Sequence, residues 1–181
     1  ITTIPVRTLV KAFGTQAPAQ IHASSLHLRY RAAVVVGCLV RKDTCLPGYS
    51  VEFRNRTFHR ISEPRQAGCR PSGHTILLVE MATDENSGIW HGDERVWARI
   101  LDELEEEKIC KRDEIAERHQ FAALNAYPVF KKDFEEHRDK LFAYFSRYSN
   151  LHCAGRMATF SYPGLAGCLL YTSPSPRDIG E

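Results

Sequence analysis

RYRAAVVVGCLVR, residues 29–41, contains the longest apolar run in this 181-residue chain. The run extends from Ala32 to Val40 and is rich in valine, whose branched β-carbon favours the extended backbone of a strand. Arginines bound it on both sides. A membrane-spanning helix needs about 20 apolar residues. The run therefore predicts a buried β-strand and no membrane span.

Further strand patterns follow this run, separated by turn-forming residues such as those of LPGYS, residues 46–50. They are YSVEFRN (49–55), TFHRISEP (57–64) and HTILLVEMAT (74–83). On a two-residue period, Phe58 and Arg60 should face one side of the sheet, with His59 and Ile61 on the other. Because no helical pattern interrupts these four segments, we expect a mostly antiparallel sheet.

Helical periodicity flanks the predicted sheet. Near the N-terminus, four apolar residues recur at helical spacing, namely Val6, Leu9, Val10 and Phe13. A second helix is predicted over Asp93–Lys108, with the acidic run Glu103–Glu107 mostly on its solvated face. A third is predicted over Asp133–Tyr148, with Asp133 as a candidate N-cap. Strands near Arg118–Leu124 and over Leu151–Ala154 complete an α+β fold.

The composition excludes several classes of protein. A net charge of +2 is too small to predict binding to nucleic acid. The six cysteines form no CxxC pair, so the spacing predicts no structural zinc site and no metal. Cys38 and Cys153 lie in apolar runs, where free thiols pack as small hydrophobic groups. These features predict a reduced, cytoplasmic protein.

Three stretches carry residues that could bind a ligand. In FHRISEP, Arg60 could hold a phosphate or carboxylate, although a surface pair with Glu63 is slightly favoured by composition. In NAYPVF, Tyr127 could cover a ligand, although a core tyrosine is the commoner case. In NLHCAGRMATFSYPG, residues 150–164, Gly155 permits close approach of the backbone and Arg156 supplies a fixed charge. Tyr162 follows and could lie over the same ligand.

The order of these stretches resembles the C-terminal part of the FAD-dependent amine oxidases. More narrowly, it resembles protoporphyrinogen oxidase-like flavoproteins and the related UDP-galactopyranose mutases. The matching stretches, which span essentially residues 1–165, are TTIPVRTLVK, LRYRAAVVVGCLV, FHRISEPRQ, NAYPVFKKDFEEH and NLHCAGRMATFSY. The chain contains no Gly-x-Gly-x-x-Gly, so the turn that binds the ADP half of FAD would lie upstream of Ile1.

The resemblance implies a role for each candidate residue. Gly155 and Arg156 would contact the FAD, with Arg156 near its pyrophosphate or ribityl chain. Arg60, Tyr127 and Tyr162 would bind a small-molecule substrate. The implied reaction is hydride transfer from that substrate to the flavin. The alternatives are a flavin-dependent isomerisation of a nucleotide sugar, or an isolated fragment that is inactive and binds nothing.

The resemblance also implies a domain organisation. Residues 1–28 would leave a truncated Rossmann-like FAD-binding domain, residues 29–130 would form the substrate domain, and residues 131–167 would return to the FAD-binding domain. ITTIPV begins like the interior of a strand, which predicts that the chain is a fragment. Cys168–Asp178, within the tail 168–181, resembles a translated transposase-type sequencing adapter, which predicts assembled environmental DNA as the source.

Overall fold

The computed structural model of the chain describes residues 1–68 and 72–162, which fold as two compact units. The first unit combines Ile1–Tyr30 with the described residues from Asn125 onward, and the second is Arg31–Leu124. The predicted adapter-like segment Cys168–Asp178 lies outside the described residues. The assignment of segments to an FAD-binding and a substrate domain stays a prediction.

Helices and strands confirm the predicted α+β class. In chain order the elements are α1 (Val6–Phe13), α2 (Ala19–His27), β1 (Arg29–Val40), β2 (Ser50–Glu52), β3 (Arg60–Ser62), β4 (Thr75–Thr83), α3 (Gly88–His91), α4 (Glu94–Glu106), β5 (Ile115–Val129), α5 (Phe134–Phe145) and α6 (Gly155–Thr159). Short 3-10 turns cover Gly14–Gln16, Pro64–Ala67 and Arg112–Glu114.

The strands form one five-stranded sheet with the order β2-β3-β4-β1-β5. The pairs β1–β4, β3–β4 and β2–β3 are antiparallel, as predicted. In the central pair, Val36 lies opposite Val79. β1 therefore lies inside the sheet rather than at its edge, as its long apolar run requires.

One face of the sheet carries the core of the second unit. From Val34 to Val40, buried and half-buried residues alternate along β1. The buried set packs with Leu77 and Val79 of β4 and with Ile100 of α4. At the start of α4, the Asp93 carboxylate accepts a hydrogen bond of 2.8 Å from the backbone N–H of Arg95. This cap satisfies one of the donors that a helix N-terminus leaves without an intrahelical partner.

The predicted faces of the segment before β3 are wrong. Phe58 and Ile61 are both completely buried in the same core, although a two-residue period would separate them. The physical reason is that the regular strand begins only at Arg60. Before it, the backbone N–H of His59 bonds to Glu80 and the carbonyl of His59 accepts from Phe53. Phe58 therefore lies outside the regular part of the strand.

The acidic run of α4 is only partly solvated. Glu103 is 5% exposed, contrary to its predicted position on a solvated face. Its carboxylate accepts hydrogen bonds from the backbone N–H of Thr57 at 2.7 Å and from the hydroxyl of the same residue at 3.0 Å. These hydrogen bonds replace the hydrogen bonds to water that a carboxylate loses when it is buried. Glu103 therefore fixes the loop before β3.

The first unit is built from the apolar faces of its helices. Val10 of α1, Ile21 of α2 and Leu141 of α5 belong to one buried cluster, which also contains Phe160. Asp133 occupies the predicted N-cap position of α5, but its side chain makes no capping hydrogen bond. Within the described residues, no helix is both long and apolar enough to cross a bilayer.

The predicted strand Leu151–Ala154 is reduced to an isolated parallel bridge between Cys153 and Thr2. The backbone N–H of Thr2 donates to His152 at 2.7 Å, and the N–H of Ala154 donates to Thr2 at 2.9 Å. Two bonds are too few for a regular strand. They nevertheless fix the residue that precedes Gly155.

Candidate functional site

Gly155 begins a short helix directly after the parallel bridge. Its φ angle is +78°, in the left-handed region that favours glycine. Apart from its chain neighbours and the backbone of its own helix, no heavy atom of residues 1–68 and 72–162 lies within 4 Å of the place where a side chain would begin. The described part of the chain therefore leaves space beside the backbone at Gly155. The helix α6 then continues to Thr159.

Arg156 lies near the rings of two tyrosines that the sequence also selected. Its guanidinium carbon is 5.0 Å from the ring centre of Tyr162 and 6.0 Å from that of Tyr127. Arg156 is exposed, and within residues 1–68 and 72–162 no carboxylate forms an ion pair with it. A guanidinium without a carboxylate partner keeps its paired N–H donors available for a phosphate or carboxylate.

Tyr162 is held in place by a hydrogen bond and by aromatic neighbours. Its hydroxyl donates to the carbonyl of Pro128 at 2.8 Å. Its ring packs edge-on against Phe130, whose ring stacks in turn on Phe134 at 4.4 Å. Burial raises the pKa of the Tyr162 hydroxyl, and the charge of Arg156 offsets part of that increase. Tyr162 is still 46% exposed, so its ring can contact a ligand.

Tyr30 supports this site and was missed by the sequence reasoning. Its hydroxyl accepts from the backbone N–H of Val6 at 3.0 Å and donates to the carbonyl of Met157 at 2.7 Å. It therefore connects the start of α1 to α6. Burial is the largest of the effects that raise the pKa of Tyr30 to about 12. A tyrosine at the beginning of a buried strand was the available signal.

Arg60 lies in the second unit. The prediction that Arg60 pairs with Glu63 is wrong. The guanidinium instead pairs with Glu80 on the neighbouring strand, and Nε of Arg60 donates to Oε2 of Glu80 at 2.8 Å. The registration of β3 on β4 places the two residues opposite each other. The Arg60 side chain is 41% exposed, so a second anion can still reach it. Glu80, a charged residue inside an apolar strand pattern, was the missed signal.

The second unit also contains a cavity of about 310 Å³ that the sequence did not predict. Its walls include Val36, Met81, Trp97, Ile100, Arg118 and Gln120. The Arg118 guanidinium lies 4.7 Å from the Trp97 ring centre and is paired with Glu94. The amide of Gln120 donates to the carbonyl of Trp90 at 3.1 Å. This chemistry suits a small molecule with an apolar body.

Comparisons with known proteins find solved structures with a similar fold but no protein of similar sequence. No protein-family model matches the chain, and no curated protein sequence matches it. A solved structure of reduced UDP-galactopyranose mutase matches with a TM-score of 0.67 at 16% identity, over 86% of this chain and 35% of that one. An Exiguobacterium sp. 255-15 protein, provisionally assigned as a protoporphyrinogen oxidase, matches with a TM-score of 0.65 at 15% identity, over 92% of this chain and 37% of that one.

A protein of Pyrococcus furiosus matches less well, with a TM-score of 0.51 at 14% identity over 70% of this chain. This chain spans about a third of the length of each of the first two structures. At these identities the likeness concerns the fold and not the residues of a site. The chain therefore shares its fold with part of a UDP-galactopyranose mutase and part of a protein assigned as a protoporphyrinogen oxidase.

Proposed function

We propose that the chain is part of a flavin-dependent oxidoreductase that binds FAD and transfers hydride from a small-molecule substrate. The observation that carries the proposal is the position of Arg156, which is exposed near the rings of two tyrosines and follows a glycine that the described residues leave uncrowded. The shared fold over most of the chain supports it. Residues 1–28 and 131–167 would belong to the FAD-binding domain, and residues 29–130 to the substrate domain.

The described residues fit one part of FAD. Arg156 presents N–H donors that suit a pyrophosphate, and Gly155 leaves room for the cofactor to approach the backbone. The chain lacks the glycine-rich turn that would bind the ADP half. When bound, FAD supplies the acceptor for a hydride. We therefore assign Gly155 and Arg156 to cofactor binding, and Arg60, Tyr127 and Tyr162 to substrate binding.

Arg60 would orient an anionic group of the substrate. Its charge is already balanced by Glu80, so an incoming anion must share the guanidinium with that carboxylate. Glu80 would thus weaken the binding of an anion at Arg60, unless the anion bonds to the guanidinium N–H groups that remain exposed. This arrangement favours a role for Arg60 in orientation over tight cofactor binding.

The proposal implies a longer gene, and the first test is to recover the DNA upstream of Ile1. A strand followed by Gly-x-Gly-x-x-Gly, with an acidic residue about 20 positions further on, would support the proposal. A start codon just before Ile1 without this motif would overturn it. The isolated 181-residue chain is expected to retain no flavin after gel filtration, because one guanidinium cannot replace several backbone N–H donors.

In the longer protein, two arginine variants test the assigned roles. Arg156→Ala should reduce the flavin content at least tenfold, whereas Arg147→Ala, which removes another exposed arginine over a tyrosine ring, should not change it. Arg60→Ala should impair turnover more than flavin content. Its control is Arg56→Ala, since Arg56 is also paired with carboxylates. Equal loss of flavin in the Arg60 and Arg156 variants would contradict these roles.

A flavin-dependent isomerase of a nucleotide sugar is the second candidate, favoured by the match to the mutase. In such an enzyme Arg60 would bind a substrate diphosphate. The two reactions differ in their electron balance. An isomerase would need the flavin to be reduced beforehand and would consume no electron acceptor, whereas the oxidoreductase would consume one equivalent for each turnover.

A further inference from the structure

Two histidines and an aspartate meet at the end of α2 and the beginning of α5. His27 is the last residue of α2, Asp133 immediately precedes α5, and His137 lies in the first turns of α5. One possible ligand atom from each residue lies within 4.8 Å of those of the other two. All three residues belong to the first unit, and none of them is assigned to FAD or to the substrate.

The distances within the cluster suit metal ligation better than hydrogen bonding. Nδ1 of His27 lies 3.4 Å from Oδ2 of Asp133, and Nε2 of His137 lies 3.6 Å from the same oxygen. An N–H···O hydrogen bond spans about 2.7–3.2 Å. Tetrahedral Zn²⁺ with bonds of about 2.0–2.1 Å separates its ligand atoms by about 3.3–3.4 Å.

The polar groups of the cluster are not satisfied by one another. The two imidazole rings stack with their centres 3.8 Å apart, and Nδ1 of His137 is buried with no hydrogen-bond partner among the residues that the structure describes. One ion can bind a nitrogen of each ring once a ring turns out of the stack, since the ion must lie near both ring planes.

The charge and exposure of the cluster also permit a cation. The Asp133 carboxylate contributes negative charge to the cluster. The side chains of His27 and Asp133 are 49% and 50% exposed. An ion can thus enter from solvent and keep a water molecule as its fourth ligand.

We propose that His27, Asp133 and His137 form a binding site for Zn²⁺, with two imidazoles, one carboxylate and one water as ligands. Imidazole and carboxylate are ligands that zinc accepts in proteins. The ion would connect the end of α2 to the beginning of α5 and stabilise the first unit. The proposal stands apart from the proposed flavin chemistry, because it uses none of the same residues.

Calorimetric titration of Zn²⁺ into the full 181-residue chain at pH 7.5 under reducing conditions tests the site. We expect one ion per chain at this site and a higher melting temperature with zinc. His27→Ala and His137→Ala should each weaken binding at least tenfold and abolish the thermal shift. The matched control is His119→Ala, because His119 lies 3.7 Å from the carboxylate of Glu117. That control should bind zinc like the unchanged chain.

Substitution of Co²⁺ for zinc separates this site from the free thiols. Ligation by nitrogen and oxygen gives weak visible bands, whereas thiolate ligation adds a strong near-ultraviolet band. Unchanged binding in both histidine variants, a dominant thiolate band, or no binding by the unchanged chain would each overturn the proposal. Circular dichroism checks folding. Should the His137 variant misfold, His27→Ala decides alone, since the His27 side chain is half-exposed at the end of a helix.

Discussion

Glu63 offers the sharpest test of how the second unit is held together. Its side chain is completely buried, and within the described residues no cation forms an ion pair with it. Its carboxylate instead accepts from the backbone N–H of Leu46 at 2.8 Å, from that of Cys45 at 3.2 Å and from the hydroxyl of Thr75 at 2.7 Å. It therefore fixes the loop after β1 to the end of β3.

The structure gives a graded expectation for two variants. Glu63→Ala leaves the N–H groups of Leu46 and Cys45 without acceptors, at about 1–3 kcal/mol each, so we expect a loss of about 4 kcal/mol in the free energy of unfolding. Glu63→Gln keeps one acceptor oxygen, and the Thr75 hydroxyl can turn to accept from the new amide. Because a charge-assisted bond contributes roughly 1 kcal/mol more than a neutral one, this variant should lose about 2 kcal/mol.

Urea unfolding followed by tryptophan fluorescence measures this loss. The only two tryptophans of the chain, Trp90 and Trp97, lie in the same unit as Glu63. Glu85→Gln is the control, because that carboxylate is exposed and its replacement should change stability by less than about 0.5 kcal/mol. A loss below about 1 kcal/mol for Glu63→Ala, or a greater loss for Glu63→Gln than for Glu63→Ala, would refute the reasoning.

The same residue predicts a dependence on pH. Burial alone would raise the pKa of Glu63, but hydrogen bonds from Thr75, Leu46 and Cys45 together lower it from its ordinary value of 4.5. A lowered pKa means that the stabilisation is fully present above pH 4.5 and is lost as the pH falls through the value in the folded protein. The difference in the free energy of unfolding between the unchanged chain and Glu63→Gln should therefore become smaller as the pH falls below 4.5. A difference that widens there would contradict the assignment.

Two further variants test the surroundings of Arg156. Tyr30→Phe leaves the N–H of Val6 unpaired, so we expect thermal unfolding to show a loss of about 1–3 kcal/mol in the free energy of unfolding, with faster hydrogen exchange at Val6. The control is Tyr49→Phe, which should change stability very little because Tyr49 is exposed. Gly155→Ala forces a left-handed backbone on alanine and should cost about 1–2 kcal/mol. Gly48→Ala, without a positive φ and equally uncrowded, is its control; equal effects would show that strain is not the cause.

The sequence by itself determined the helices and strands in which apolar residues recur at a regular spacing. The strand β1 and the helix α4 were predicted correctly, because spacing along a strand or helix fixes which residues share a face. It also selected Arg156 and Tyr162 as neighbours, since few residues separate them. Local geometry decides such positions.

Only the tertiary structure decided which distant residues meet. The register of β3 on β4 gave Arg60 its partner Glu80, and the packing of the loop after β1 turned Glu63 into a buried acceptor. The approach of His27 to His137 likewise depends on the packing of α2 against α5. Such pairs join elements that are far apart in the chain, and no periodicity records which elements will pack together or in which register.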